Sequence, residues 1–151
     1  MTPTRQRPAT DQGLQARRVA MLALFEDEFR PEQALTALER LASEKGLRRD
    51  TADQARDLVE GVLRHRPDID AEIARLAPAI PVSELGRVER TILRSALYEV
   101  LYSAAIPDGE TIHDAVSLAR TYAGDAARRL VNGVLGSVAR STGSGASGRG
   151  A

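Results

Sequence analysis

Apolar residues return every three or four positions along most of the chain, and strict alternation is absent, so the pattern predicts helices. Leu14, Met21, Leu22, Phe25 and Phe29 predict a first helix over about 14–29, with Arg17 and Arg18 in its early turns. Pro31 suits a first helical position and opens a second helix carrying Leu35, Leu38 and Leu41, which Gly46 ends. A third follows Asp50 or Thr51, either a suitable N-cap, and uses Leu58, Val59, Val62 and Leu63. Pro67 interrupts that pattern. A short fourth helix then carries Ile69, Ile73 and Leu76 until Pro78 and Pro81. The fifth, from about Leu85 to Ser103, is too apolar for a surface helix and is expected at the centre. The turn Ile106-Pro107-Asp108-Gly109 leads to a sixth with Ile112, Val116 and Ala119, stopped by Gly124. Leu130, Val131, Val134, Leu135 and Val138 mark the seventh. The fold class expected is all-α.

The ends lack this periodicity. Residues 1–13 are polar, with Pro3, Pro8 and Gly13, and read as a flexible arm. Residues 141–151 are Gly/Ser-rich and read as a disordered tail. One domain over 14–140 suits a chain of 151 residues.

Charge adds a layout that the net value of zero hides. Residues 1–25 carry four Arg against Asp11, and 117–151 carry five Arg against Asp125, while the middle is acidic. All the basic residues except Lys45 are Arg, the side chain suited to bidentate phosphate contacts. Composition closes other routes. There is no Cys, so no thiolate nucleophile or Cys-based zinc site. No run of 18 apolar residues could span a membrane, and the N-terminus lacks a signal-peptide stretch, so the expected location is the cytoplasm.

Catalytic patterns are absent too: no glycine-rich phosphate loop, no G-x-S-x-G, no H-E-x-x-H. The pairs Asp27/Glu28, Asp68/Asp70 and Glu110/Asp114 read as solvated helix faces or caps. His65, between Arg64 and Arg66, reads as a surface residue, and His113 as structural or surface. Gly133-Val134-Leu135-Gly136 lies inside a helical pattern and reads as helix packing. No enzyme, cofactor or metal site is expected.

What remains is the basic ends. Arg5 and Arg7 lie in the arm; Arg17 and Arg18 point about 100° apart on the first helix and spread over a face. Arg128 and Arg129 open the seventh helix, sharing a face with Asn132. Asn132 either satisfies a buried backbone group or hydrogen-bonds a nucleotide. The two basic sets form one patch only if the first and seventh helices meet.

Three ordered motifs carry a family resemblance. Leu130-Val131-Asn132-Gly133-Val134-Leu135 resembles the F-V-N-G-V-L signature of the NusB family of bacterial transcription antitermination factors. The run Arg87–Glu99 resembles that family's R-x-I-L-R-x-A-L-Y-E, and Ile106-Pro107 with Thr111–Arg120 resembles its I-P-x(4)-A-I-N-E-A-V-E-L-A-K. Ala16–Phe25 is similar to its R-x-x-A-x-x-A-L-Y start.

The resemblance implies an all-α fold of two packed helical halves and no enzyme. It implies binding of boxA-type single-stranded RNA from ribosomal RNA transcripts together with NusE, a small-subunit ribosomal protein, in an antitermination complex on RNA polymerase. A protein-only helical scaffold or homodimer is the alternative. Carried over to this chain, the RNA surface would use Arg5, Arg7, Arg17, Arg18, Phe25, Arg128, Arg129, Leu130 and Asn132. Glu89 would face NusE, or else pair internally with Arg90 or Arg94. Leu14 and Gln15 stand where the family often has Arg, Phe25 where it has Tyr, and Leu130 where it has Phe. Those departures imply weaker RNA binding by the protein alone and more reliance on NusE. Replacing Arg17 and Arg18 together by Ala is expected to weaken RNA binding with little loss of stability.

Overall fold

The computed structural model describes the backbone of residues 9–103 and 108–149, and the side chains of 12–103 and 109–138. Among these residues lie six α-helices and one 3-10 turn: α1 (Ala9–Phe29), α2 (Ala34–Glu44), α3 (Arg49–Leu76), η1 (Val82–Glu84), α4 (Arg87–Tyr102), α5 (Asp108–Ala123) and α6 (Asp125–Arg149). The fold is all-α, as expected. Helices α1–α3 form one half and α4–α6 the other. The central position predicted for the most apolar helix holds: α4 packs on α1, α3, α5 and α6.

Small residues set the closeness of this packing. Ala16, Ala20 and Ala23 are buried on α1, and Ser95 and Ala96 on α4. At Gly61 the contact is tighter still, because a Cβ there would lie 2.1 Å from the Tyr98 ring. Only glycine lets that ring rest on the α3 backbone.

Four boundaries differ from the sequence pattern. The predicted third and fourth helices are one: α3 runs through Pro67. Proline removes one backbone bond and crowds the carbonyl four residues back. Here Pro67 is exposed, so the defect faces water. Val59 and Val62 before it, and Ile69 and Ile73 after it, are fully buried and hold one helix axis. Pro67→Ala is expected to raise stability by roughly 1 kcal/mol, read from denaturant unfolding, because it restores the bond while giving up some of proline's restriction of the unfolded chain.

Second, Pro31 does not open α2. Glu32 takes a left-handed φ of 70°, and the helix starts at Ala34. The Asp27 carboxylate accepts the Gln33 N–H across this turn at 3.2 Å. Third, neither Asp50 nor Thr51 caps α3, which begins at Arg49; Asp50 accepts the Thr51 N–H from inside the first turn. Fourth, α1 begins at Ala9, so part of the expected arm is helical, and α6 continues through Arg149 into the expected tail. In both places the helical hydrogen-bond ladder overrides a composition that favours coil.

Gly46 ends α2 as predicted, with φ +60°. Gly46 N–H donates to Ser43 and Leu47 N–H to Ala42, the Schellman closure that satisfies the last carbonyls.

Candidate functional site

The expected cations separate into two kinds once α1, α4 and α5 pack together. Arg17 is buried, with 4% of its surface exposed. Its Nε and Nη2 donate to both Glu99 carboxylate oxygens at 2.9 and 2.8 Å, and Nη1 donates to Asp114 at 2.6 Å. Glu110 lies 3.5 Å from Nη1. Burial would lower the Arg17 pKa, but the bonds and charges of Glu99 and Asp114 more than offset it, so the guanidinium is held charged. Arg17 is therefore not available to an RNA phosphate, a correction to its sequence assignment. The same contact corrects Asp114, which is buried rather than a solvated cap.

Arg18, one residue on, points away from this node. It is half-buried and makes no ion pair among the described residues. Leu22 and Phe25 follow it on the same face of α1, both half-buried, and Phe29 continues the stripe into solvent. Phe25 meets Phe29 edge-on at 5.1 Å, and the Arg87 guanidinium sits 4.5 Å over the Phe29 ring. The antiparallel packing of α1 and α4 thus sets Phe29 against Arg87 and Glu28 against Arg90, at the end of α4 that carries Glu89, the expected protein-binding residue.

Glu89 forms no ion pair with Arg90 or Arg94. Arg90 donates to Glu28 at 2.8 Å and to the carbonyls of Val82, Ser83 and Leu85. Arg94 binds both oxygens of Asp70 at 2.8 Å. Burial would raise the Glu28 pKa, but the bond from Arg90 and the charges of both arginines hold it below its ordinary value. Glu28 and Asp70, like Asp27 with its bond from Arg66, are structural partners rather than solvated acids. Glu89 instead folds back over Gly86 at the start of α4 and stays half-exposed.

At the start of α6, Asp125 accepts from Arg128 Nε at 2.8 Å and Arg129 Nη1 at 2.6 Å. The bond from Arg128 lowers the Asp125 pKa. Leu130 is half-buried. Asn132 is exposed, which removes the buried-backbone reading. It lines a groove of about 290 Å3 between α5 and α6, with Arg128, Arg120 and Ser117. The sequence reading gave Arg120 no site role and missed Ser117. The i, i+4 spacing of Val116 and Arg120 was the available signal.

Among the described residues α1 and α6 share no substantial packing interface, so the two basic sets do not merge directly; both helices pack on α4 and α5. Gly133 is exposed with open space around it, so packing does not explain it. His113 is exposed beside Asp114. His65 is not a plain surface residue: it stacks on Tyr102 at 4.0 Å. Arg5 and Arg7 lie outside the described residues.

The NusB family model matches residues 14–140. The chain belongs to the NusB family. A transcription antitermination protein NusB from Carboxydothermus hydrogenoformans is 38% identical over 129 residues, covering 82% of this chain and 90% of its own length. One from Dehalococcoides mccartyi (strain 195) is 31% identical over 125 residues, covering 83% and 87%. The structure is similar to T. maritima NusB, with a TM-score of 0.80 at 29% identity over 89% of this chain and 92% of that one. It is also similar to a chain from a complex of the antitermination factors NusB and NusE with dsRNA, with a TM-score of 0.79 at 29% identity over 87% and 98%. The NusB resemblance read from the three motifs therefore extends over the whole helical domain.

Proposed function

We propose that this NusB-family protein is an RNA-binding adaptor in transcription antitermination, acting with NusE on boxA-type RNA of ribosomal transcripts in the cytoplasm. The likeness to a solved NusB–NusE–RNA complex, over nearly the whole of both chains, carries this reading. The role is one of binding rather than catalysis. Two sets of accessible cations support it. Arg18 supplies one set on α1; Arg128 and Arg129 supply the other on α6, beside Leu130 and Asn132. Phosphate contacts position an RNA, and nearby edges read it. The half-exposed Phe25 offers a ring to a base. Glu89, free of Arg90 and Arg94, offers a carboxylate to a basic protein partner.

The test replaces Arg18 and Arg129 by Ala and titrates labelled boxA-type RNA, single- and double-stranded, with and without NusE. Neither side chain is buried, so stability is expected to stay within about 0.5 kcal/mol. Binding is expected to weaken, and for single strands the slope of log K against log salt to flatten by about 1.4. No RNA binding by the wild type in either condition would favour the protein-only scaffold.

A further inference from the structure

We infer that Gly86 is a positioning residue: its missing side chain is the space in which the Glu89 carboxylate stands, and any side chain at 86 turns that charge away from the basic protein partner. The inference rests on the reading of Glu89 as the acid that meets NusE, and adds the residue that decides where that acid points.

Gly86 is the N-cap of α4, and Glu89 lies three residues on, in the first turn. That spacing lets a Glu side chain turn back toward the N-cap. A Cβ at Gly86 would lie 2.2 Å from Glu89 Oε2, 2.8 Å from Cδ and 2.9 Å from Oε1. The three atoms nearest that Cβ therefore all belong to one carboxylate. Backbone freedom does not account for the glycine. Its φ of −55° and ψ of 145° are ordinary extended values that any residue adopts. What position 86 cannot hold, while Glu89 stays where it is, is a side chain.

Other features keep the carboxylate there. The N-terminal end of α4 favours a negative charge. The neighbouring cations are engaged elsewhere: Arg87 lies over the Phe29 ring, Arg90 donates to Glu28 and Arg94 to Asp70. Glu89 makes no ion pair among the described residues and is half-exposed. Its charge is thus fixed in place and not neutralised. A side chain already fixed loses less freedom when a partner arrives. An added Cβ would push the carboxylate aside by far more than the few tenths of an ångström that a charge-assisted hydrogen bond tolerates.

The experiment compares Gly86→Ala, Gly86→Ser, Glu89→Ala and the double variant Gly86→Ala/Glu89→Ala with wild type, reading NusE affinity and melting temperature. Serine is a better N-cap than glycine, so Gly86→Ser is expected to melt at or above the wild-type temperature. It is nevertheless expected to bind NusE about three- to tenfold more weakly, as is Gly86→Ala. A glycine that served only the fold would move stability and affinity in the same direction. Glu89→Ala is expected to weaken NusE binding about tenfold or more. Adding Gly86→Ala to it is expected to change nothing further, because no carboxylate is left to displace. If Glu89→Ala weakens NusE binding while both Gly86 variants bind as wild type, the inference is wrong and the NusE reading of Glu89 stands. If Glu89→Ala binds NusE as wild type, that reading fails and the inference falls with it. If the two losses add in the double variant, Gly86 acts through the backbone rather than through Glu89, and the inference is overturned.

Discussion

Arg17→Ala is expected to destabilise the protein by about 3–5 kcal/mol, because it leaves buried carboxylates without their counter-charge. The side chain ties α1 to Glu99 on α4 and to Asp114 on α5, and both acids are as buried as the arginine. Removal therefore loosens the junction of three helices in one step. Arg17→Lys is expected to recover only part of the loss, since an ammonium cannot serve two oxygens of Glu99 and one of Asp114 in the same plane. Urea unfolding of wild type, Arg17→Ala and Arg17→Lys checks this; a change below about 0.5 kcal/mol for the Ala variant would contradict the buried node. The effect is constant across ordinary pH on the arginine side. Its pKa is raised on folding, so its contribution is complete at every ordinary pH and is lost only as the pH climbs through the raised folded value. A practical consequence follows for RNA studies: an Arg17/Arg18 double variant confounds loss of fold with loss of contact, and Arg18→Ala alone does not.

Gly61→Ala is expected to cost about 2–3 kcal/mol through overpacking. The added methyl would fall 2.1 Å from the Tyr98 ring. That ring cannot swing aside freely, because its hydroxyl donates to Asp57 at 3.3 Å and its centre lies 5.8 Å from that of the Tyr102 ring, in the stack with His65. Either α3 and α4 separate or the stack breaks. Pairing Gly61→Ala with Tyr98→Leu is expected to be less harmful than the two single losses added, since the smaller side chain removes the clash. Thermal melts of the four proteins form the cycle; strict additivity would show that the contact does not govern the packing.

Much of this fold is written in local pattern. The 3.6-residue period, Gly46 and Gly124 each act over a few residues, and they located five of the six described helices. Pro67 misled because a proline's local cost is a fixed number, while the burial of Val62 and Ile69 on either side of it is not visible locally. Asp27, Glu28, Asp70 and Asp114 misled for the same reason: their arginine partners lie 39, 62, 24 and 97 positions away.

The sequence by itself determined the helical class, the central place of α4, the basic character of the two ends and the family motifs, all of which depend on residue type and short spacing. Only the tertiary structure decided which arginines face solvent. Arg17 and Arg18 are neighbours in sequence and alike in chemistry. A rotation of about 100° about the helix axis places the first against Glu99 and Asp114 and leaves the second open. Whether a cation serves the fold or a ligand depends on what the chain brings opposite it, and that is a property of packing.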